Sequence, residues 1–374
     1  MRLLTVIDSL SGSGGAEHGL VREATRFSTD VHHTVVRLFA ADTLEPDLRA
    51  AGVTVVPLGL VASSAGTNWP LAAWRLGQVI ADIEPDVIQS SLFTGNIVGQ
   101  LAGRRAKVPV VSTLVLSGDV DLLKATQPGA ATWKGATLRT VAGMAARSDR
   151  VWFRALTRDT LDTNAALLGV DPDRGVVIPR GVPIPDPGRP IPARSDLGLP
   201  EDVHLLVNVG RQTAQKGHHH LLDVLEAIPD THLVILGRTG DATDSFAAAI
   251  SDRGLVDRVT TIEFTSAVVD HLAHASVFVF PSLMEGLGTA VLEAMAAGAP
   301  VVAFDIPPVA DVTDGGRHAR LVPVGDTGAF IDAVRRTLDD GGLAESAHRW
   351  VVEAYAIDAV APRVEAYLTE VAGR

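Results

Sequence analysis

The chain has 374 residues, 47% of them apolar, and a formal net charge of −12 at pH 7. A chain of this length is expected to form about two domains with ordinary cores, and its negative charge argues against a general nucleic-acid binder. It has no cysteine, which excludes disulfides and thiolate metal sites and is compatible with a reducing cytoplasm.

The N-terminal half alternates short β-branched apolar runs with helix-like segments. This alternation favours a parallel sheet with helices on both of its faces. The predicted strands and helices are, in chain order, Leu3–Ile7, Glu17–Phe27, Val35–Phe39, Val53–Pro57, Trp74–Asp82, Val87–Gln89, Asn96–Ala106 and Val108–Thr113.

A proline-rich stretch, "PRGVPIPDPGRPIP", follows at Pro179–Pro192. Proline lacks a donor N–H and fixes its φ angle, so we predict a stiff connector here rather than a helix or an inner strand. The alternation then resumes and ends in a helical tail, with predicted strands at Val203–Val209, His232–Leu236, Val259–Ile262, Val277–Phe280 and Val301–Phe304.

The sequence therefore predicts an α/β protein of two Rossmann-like, doubly wound domains that face each other across a cleft. We assign the N-terminal domain to 1–182, the linker to 183–194, the C-terminal domain to 195–345 and a closing helix that crosses back to 346–374. Ligands of such sheets bind beyond the carboxyl ends of the strands, so a site is expected in the cleft.

The first glycine cluster, Ser9–Gly19, lies between a predicted strand and a predicted helix. Glycine lets the backbone turn sharply and approach a ligand, and helix N-terminal amides can bind an anion. A tight turn without a ligand is the alternative. A nicotinamide oxidoreductase is another possible function for a protein with such strand–glycine–helix turns. The spacing of Gly12, Gly14 and Gly15 argues against it, because it does not match the G-x-G-x-x-G fingerprint of dinucleotide-binding domains.

The second cluster, "VGRQTAQKGHHH", begins where a predicted strand ends at Gly210. The guanidinium fork of Arg211 and the ammonium of Lys216 can together neutralise a diphosphate. Two solvated loop charges are the alternative, and we favour a site because open sheets bind ligands at this position. His218–His220 are not predicted to bind a metal, since adjacent side chains on a helix diverge by about 100°.

The third cluster, "FPSLMEGLGTAVLEAMAAGAPVVAF", runs from Phe280 to Phe304. A strand is predicted to lead through Gly286-Leu287-Gly288 into a helix whose first amides suit phosphate. Glu285 before the turn and Glu293 in the helix are candidate clamps for a vicinal diol, because a carboxylate accepts several hydrogen bonds. Each glutamate alone could equally be an ordinary surface residue.

This third cluster resembles the signature of the family-four retaining glycosyltransferases, which have the GT-B architecture. The family pattern is roughly P-S-x-x-E-G-x-G-x-x-x-L-E-A-M-A-x-G-x-P-V-V-A, and every fixed position is met from Pro281 to Ala303. Gly14-Gly15-Ala16-Glu17, Gly210-Arg211 and Lys216-Gly217 resemble further loops of the family.

The resemblance extends to the approach to the linker, Ser148–Val182. There Thr157 stands where serine is usual and Arg180 where asparagine is common. A larger departure is Val115, which stands where members commonly carry a histidine that touches the 6-hydroxyl of the donor sugar. Either the donor lacks a 6-hydroxyl, as a pentose or 6-deoxy sugar does, or another group such as Ser117 or Asp119 takes this role.

The resemblance implies a UDP- or GDP-linked sugar held mainly by the C-terminal domain. Arg211 and Lys216 would contact its diphosphate and Glu285 its sugar hydroxyls, and these three are the expected catalytic residues. The other expected donor-binding residues are Gly14, Gly15, Gly210, Gly237, Phe264, Thr265, Gly286, Leu287, Gly288, Thr289 and Glu293, with Phe264 and Thr265 near the base and Glu293 at the ribose.

The expected reaction breaks an anomeric C–O bond whose leaving group is a nucleoside diphosphate. Negative charge grows on that group in the transition state, so preorganised cations and amides lower the barrier. Because two cations can replace a divalent ion, we expect no metal and no cofactor. The resemblance implies retention of configuration, with the leaving phosphate assisting deprotonation of the acceptor.

The acceptor is expected to be a small molecule, lipid or glycan bound by the N-terminal domain, with Trp69, Ser117 and Asp119 as candidate residues. The alanine- and glycine-rich composition fits a bacterial protein. The N-terminus does not fit a signal peptide and no apolar run is long enough to span a bilayer. We therefore expect a cytoplasmic protein that can associate peripherally with the inner face of a membrane.

Two related functions stay open. A GT-B-like sugar-nucleotide epimerase would share the architecture and the diphosphate site but would need no acceptor. A degenerate sugar-nucleotide binder would have kept the pocket and lost activity. The valine at position 115 favours the degenerate binder, whereas the intact Arg211, Lys216, Glu285 and Glu293 argue against it.

Overall fold

The computed structural model describes residues 1–12, 14–60, 69–115 and 133–374. The chain divides into two compact units, one formed by Met1–Gly181 with Ile357–Arg374 and the other by Val182–Ala356. The chain returns to the first unit after Ala356, whereas the closing helix that crosses back was predicted to begin at residue 346. Ala356 has an extended backbone, with ψ near 136°, and this ends one helix before the next begins.

In the described part of the first unit, seven strands form one parallel sheet in the order β3-β2-β1-β4-β5-β6-β7. Five of these strands confirm the predictions to within three residues, whereas β6 and β7 were not predicted. The strands are β1 (Arg2–Ile7), β2 (His32–Phe39), β3 (Thr54–Leu60), β4 (Val87–Ser91), β5 (Val110–Leu114), β6 (Val151–Ala155) and β7 (Gly175–Val177).

Helices cover both faces of this sheet. Successive residues of a strand point to opposite faces, and in β1 the side chains on both faces are buried. On one face, Leu4 and Ile88 pack in a core that includes residues of α3 and α4. On the other face, Leu3 packs with Val360 and Val364 of the last helix. The helices of this unit are α1 (Gly15–Ala24), α2 (Glu45–Ala50), α3 (Trp69–Ile83), α4 (Phe93–Ala106), α5 (Trp133–Ala146), α6 (Arg158–Leu168) and the last helix of the chain, α14 (Ile357–Ala372).

The second unit contains a six-stranded parallel sheet in the order β10-β9-β8-β11-β12-β13. The strands are β8 (His204–Val209), β9 (Thr231–Leu236), β10 (Val259–Ile262), β11 (Val277–Phe280), β12 (Val301–Phe304) and β13 (Arg320–Val322). All five predicted strands are confirmed, and only the short β13 was missed. The helices are α7 (His219–Ala227), α8 (Thr243–Asp252), α9 (Val268–Ala273), α10 (Thr289–Ala296), α11 (Pro307–Val312), α12 (Thr327–Asp340) and α13 (Ala344–Tyr355).

The proline-rich segment 183–194, all of it described, contains neither helix nor strand. A turn within it is closed by the amide of Arg189, which donates to the carbonyl of Asp186 at 3.1 Å. Among the helices that the structure describes, none is long and apolar enough to cross a membrane.

The buried His33 makes the stability of the first unit sensitive to acid. Its Nε2 lies 2.8 Å from the hydroxyl of Thr5, and burial lowers the pKa of His33 to about 3. The unfolded chain, with a histidine pKa near 6.5, then binds more protons than the folded chain between about pH 3 and 6.5. The contribution of His33 to stability is therefore complete above this window and decreases as the pH falls through it.

We expect the His33→Gln variant to lose less stability than the wild type when the pH falls from about 7 to about 5, by on the order of 2 kcal/mol. Urea unfolding at both pH values measures this difference. His32→Gln is the matched control, because His32 is exposed on the same strand. Equal acid sensitivity in the wild type and the His33 variant would contradict the prediction.

Candidate functional site

The candidate site lies at the topological switch point of the second sheet. β8 and β11 are neighbours in that sheet, and the strand order runs outward from them in opposite directions. In doubly wound sheets, ligands bind beyond the carboxyl ends of the strands at such a point. The loops that follow these two strands contain Arg211, Lys216 and Glu285, so the sheet order gathers residues that are far apart in sequence.

Backbone contacts hold the two loops together. The amide of Leu283 donates to the carbonyl of Gln215 at 2.9 Å, and Nε2 of Gln215 donates to the carbonyl of Met284 at 2.6 Å. Gly217 has a left-handed φ of +63°, and a Cβ added there would lie 2.2 Å from the carbonyl oxygen of Pro281. Only glycine therefore lets the first loop lie this close to the second.

We expect Gly217→Ala to destabilise the second unit by more than about 2 kcal/mol, because it adds a backbone clash to the penalty of a left-handed alanine. Gly198→Ala is the matched control. Gly198 has a similar φ of +68° but no atom within 4 Å of an added Cβ. Chemical denaturation measures the free energy of unfolding of both variants, and the difference between their losses is the cost of the clash. Equal losses would show that the clash is relieved without cost.

Lys216 and Glu285 form an ion pair between these loops. The distance from Nζ to Oε1 is 2.5 Å, and the two side chains are 20% and 12% exposed. The ammonium lies 5.4 Å from the centre of the Phe280 ring, and the lysine stem passes over Gly210, where an added Cβ would lie 3.4 Å from it. The positive charge is thus held in place and partly shielded from water.

Arg211 directly follows Gly210 and is exposed at the carboxyl end of β8. Glycines in the neighbouring loop support this segment. A Cβ at Gly237 would lie 2.0 Å from the carbonyl oxygen of Gly210, and one at Gly240 would lie 2.4 Å from that of Gln212. Gly237, predicted to bind the donor, therefore has a packing role that the sequence analysis did not foresee.

The helix α10 begins at the carboxyl end of β11 without a side-chain cap. Its N-cap is Gly288, with a left-handed φ of +80° and no side-chain hydrogen bond. The amide of Val291 donates to the carbonyl of Gly288 at 2.9 Å, so the amides of Thr289 and Ala290 precede the first intrahelical bond. This is the arrangement that binds phosphate at helix N-termini.

The other predicted residues of this turn differ in burial. Gly286 is half-buried in the turn itself, whereas the side chain of Leu287 is buried. Leu287 therefore belongs to the core, and only its backbone faces the loop. Glu293 is half-buried in the second turn of α10.

The three consecutive histidines point in different directions. His218 is buried and its Nε2 lies 2.9 Å from Oδ1 of Asn208, whereas Nδ1 of His220 lies 2.7 Å from the hydroxyl of Thr327. His219 is exposed. Burial, with smaller effects of Lys216 and His219, lowers the pKa of His218 to about 4. Within the described ranges, no group of three potential ligands could hold a metal ion.

The predicted base-binding residues lie beyond the carboxyl end of β10. The Phe264 side chain is 77% exposed, and the guanidinium of Arg238 lies 5.9 Å from its ring centre. The hydroxyl of Thr265 accepts a hydrogen bond from the amide of Ala267 at 3.0 Å, just before α9. An exposed aromatic ring at this position can stack on a flat ligand.

The first unit contains the other predicted glycine loop. Gly14 and Gly15 are exposed where α1 begins. The buried carboxylate of Glu17 accepts hydrogen bonds from the Ser9 hydroxyl at 2.6 Å and from the amides of Ser11 and Gly14 at 3.0 and 3.2 Å. Glu17 therefore fixes the conformation of this loop from within the helix.

Asp8 is a candidate site residue that the sequence analysis missed. It follows β1 at the switch point of the first sheet, beside β4, and its Oδ1 accepts a hydrogen bond from the amide of Gly95 at 2.6 Å. Burial raises the pKa of Asp8 to about 6. A carboxyl group that titrates near neutral pH at a strand end is typical of functional sites. The available signal was an acidic residue directly after the first strand.

The predicted acceptor residues are only partly described. Trp69 begins α3 and is partly buried against the core of the first sheet. Val115 follows β5 directly. Ser117 and Asp119 lie outside the described residues.

Two family models match nearly the whole chain. The model described as "Glycosyl transferase 4-like domain" matches residues 14–181, and "Glycosyl transferases group 1" matches 192–356. A lipopolysaccharide core biosynthesis glycosyltransferase, LpsE of Rhizobium meliloti, is 29% identical over 48% of this chain and 53% of its own length. The D-inositol 3-phosphate glycosyltransferase of Acidothermus cellulolyticus is 30% identical over 70% of this chain and 61% of its own length. The chain thus spans between half and two thirds of these relatives.

Solved structures share the fold over the full chain. Anabaena HepE in complex with UDP has a TM-score of 0.83 at 21% identity, covering 99% of this chain and 100% of that chain. Sucrose-phosphate synthase from Thermosynechococcus elongatus has a TM-score of 0.81 at 18% identity, covering 99% of both chains. These similarities establish the GT-B fold of two Rossmann-like domains.

Proposed function

Because the chain belongs to the family-four glycosyltransferases of the GT-B fold, we propose that it transfers a sugar from a nucleoside-diphosphate donor to an acceptor hydroxyl, with retention of configuration. The observation that supports this proposal best is the cluster at the switch point of the second sheet. Two cations, Arg211 and Lys216, lie at the carboxyl end of β8, beside the uncapped N-terminus of α10 after β11.

This cluster suits a diphosphate leaving group. In the transition state the glycosidic C–O bond lengthens and negative charge grows on the diphosphate oxygens. A guanidinium fork, an ammonium held against Glu285 and the amides of Thr289 and Ala290 stabilise that charge without reorganising. Each such donor contributes on the order of 3 kcal/mol to lowering the barrier. The acceptor oxygen bonds to the anomeric carbon as the diphosphate leaves, and the departing phosphate accepts the proton of that hydroxyl.

We assign the remaining donor contacts by the same chemistry. Glu285 is half-buried beside Lys216 and can accept hydrogen bonds from sugar hydroxyls, while Glu293 can accept those of the ribose. The exposed ring of Phe264 is suited to stack on the nucleobase, with Thr265 beside it. UDP is the first nucleotide to test, since UDP is present in the HepE complex.

Val115 is the residue from which we propose the class of donor sugar. The side chain of Val115, directly after β5, has no polar group for a 6-hydroxyl, so we propose a pentose or 6-deoxy sugar as the transferred group, with Ser117 or Asp119 binding a 6-hydroxyl as the alternative. Strong preference for a hexose with a free 6-hydroxyl, measured as kcat/KM across a series of sugar nucleotides, would refute this choice. The acceptor is proposed to be a small molecule, lipid or glycan, since one relative is named for inositol 3-phosphate and another for lipopolysaccharide core biosynthesis.

Isothermal titration calorimetry with UDP, GDP and their sugar conjugates tests the donor assignment. We expect saturable binding of one nucleotide that is weakened at least tenfold in Lys216→Ala. Arg349→Ala is the matched control, because Arg349 is an exposed residue of α13 in the same unit. Absence of binding to every nucleoside diphosphate would refute the proposal. Donor turnover without any acceptor product would indicate the epimerase instead.

A further inference from the structure

The first unit contains a small polar pocket between α1 and the sheet. Its volume is about 20 Å³, enough for one water-sized atom or group. The residues that define its chemistry are Glu23, Gln89, Ser91, Thr113, Arg154 and Arg180. All of these residues belong to the first unit.

Arg154 and Glu23 neutralise each other at one side of this pocket. The guanidinium of Arg154 donates to both carboxylate oxygens of Glu23 at 2.7 and 2.8 Å. It also donates to the carbonyls of Ile178 and Pro179 at 3.0 and 2.7 Å. These bonds satisfy both groups, so the pair contributes no net charge to the pocket.

Arg180 adds a second positive charge that lacks such a partner. Its side chain is only 9% exposed, and in the described part of the chain it makes neither a hydrogen bond nor an ion pair. Burial lowers the pKa of Arg180 to about 10, with Glu23 opposing and Arg154 adding to the shift, so the guanidinium stays charged at neutral pH. A buried charge without a hydrogen-bonded partner is strongly unfavourable.

A glycine in α1 packs against the side chain of Arg180. Gly19 lies inside α1, and a Cβ there would be 2.5 Å from Cδ of Arg180. Glycine within a helix costs about 1 kcal/mol relative to alanine. Glycine at position 19 therefore lowers the stability of the helix but leaves space for the aliphatic part of the Arg180 side chain.

The opposite wall presents hydroxyl and amide groups. Thr113 is 4% exposed, and its Oγ1 has no hydrogen-bond partner among the described residues. Oε1 of Gln89 accepts a hydrogen bond from the Thr5 hydroxyl at 3.2 Å, and the amide group of Gln89 also carries an N–H₂ donor. Ser91 adds a third polar side chain at the end of β4.

We propose that this pocket binds one small anion, whose charged atom lies between the guanidinium of Arg180 and the hydroxyl of Thr113. An anion would neutralise the unpaired arginine and satisfy the orphaned hydroxyl at the same time. The volume admits a single atom, so the occupant is a chloride-like ion or one terminal oxygen of a small oxyanion such as formate or phosphate. No role in sugar transfer is needed for this binding.

Chloride-35 NMR tests the proposal on the full chain. Added wild-type protein is expected to broaden the chloride line, and at least a tenfold weaker effect is expected for Arg180→Asn. Arg363→Asn is the matched control, since Arg363 is an exposed arginine of α14 in the same unit and removes the same charge. Competition with formate and phosphate separates the two sources: displacement of chloride indicates that an anionic oxygen also fits, and no displacement indicates a halide site.

Thr113→Val keeps the test decisive if Arg180→Asn does not fold. It preserves shape and charge but removes the hydroxyl, and we expect it to weaken chloride broadening several-fold. A saturable rise in melting temperature with chloride should likewise be present in the wild type and Arg363→Asn and be absent in Arg180→Asn. Equal broadening and equal thermal response in all four proteins would overturn the proposal and indicate that the pocket holds water.

Discussion

Replacing Lys216 with alanine is expected to lower kcat by about 10²- to 10³-fold, with a smaller change in the affinity for the donor. The ammonium lies in one position against Glu285 and Phe280, so it needs no reorganisation as charge grows on the leaving diphosphate. Its contribution is therefore larger in the transition state than in the ground state. Initial rates with the donor identified by calorimetry measure the effect.

Arg211→Ala is expected to lower kcat by a similar factor, because the guanidinium binds two phosphate oxygens at once. Both variants should fold, since Arg211 is exposed and Lys216 ends a single 3₁₀ turn outside the strands and α-helices. Melting temperatures of the variants check that they fold. Arg349→Ala is the control, because it removes a positive charge elsewhere in the same unit and should leave kcat unchanged. Near-normal kcat in both variants would defeat the assignment of these cations to the leaving group.

Part of the second sheet could be predicted because several of its strands are short apolar runs with glycine or proline directly before or after them. Val277–Phe280 and Val301–Phe304 match their observed bounds for this reason. Both faces of such strands are buried under helices, so the sequence shows no alternation that could confuse them with surface strands.

The missed strands lack this signal. β6 contains Arg154, a charged residue that normally argues against a buried strand and is tolerated here because Glu23 pairs with it. β7 and β13 have three residues each, too few for a pattern. Their positions follow from pairing with β6 and β12, which only the folded sheet reveals.

The site shows the same division. The sequence placed Arg211, Lys216 and Glu285 in glycine-containing segments that follow two predicted strands. A site was predicted there because parallel sheets bind ligands at the carboxyl ends of their strands. The contact between Lys216 and Glu285 was not predictable, since 69 residues separate them and the contact depends on β8 and β11 being neighbours. The packing role of Gly237 and the unpaired charge of Arg180 likewise depend on segments that only tertiary structure brings together.

Replacing Glu285 with alanine is expected to lower kcat/KM by about 10²-fold or more, because two interactions are lost together. The carboxylate no longer receives the sugar hydroxyls, and the ammonium of Lys216 is no longer held in place. Glu285→Gln separates these contributions. It keeps hydrogen bonding to the sugar while removing the charge that fixes Lys216, so its activity should lie between those of the wild type and Glu285→Ala.

A double-mutant cycle then tests whether the two residues act as one unit. Residues in direct contact are non-additive, so Lys216→Ala combined with Glu285→Ala should lose little more activity than the more damaging single variant. Glu345→Ala, at an exposed position of α13 outside the site, serves as the partner of Lys216→Ala in a control cycle that should be additive. If the logarithmic losses of the two site variants simply add, the ion pair has no shared role, and Glu285 would act on the sugar independently of the lysine.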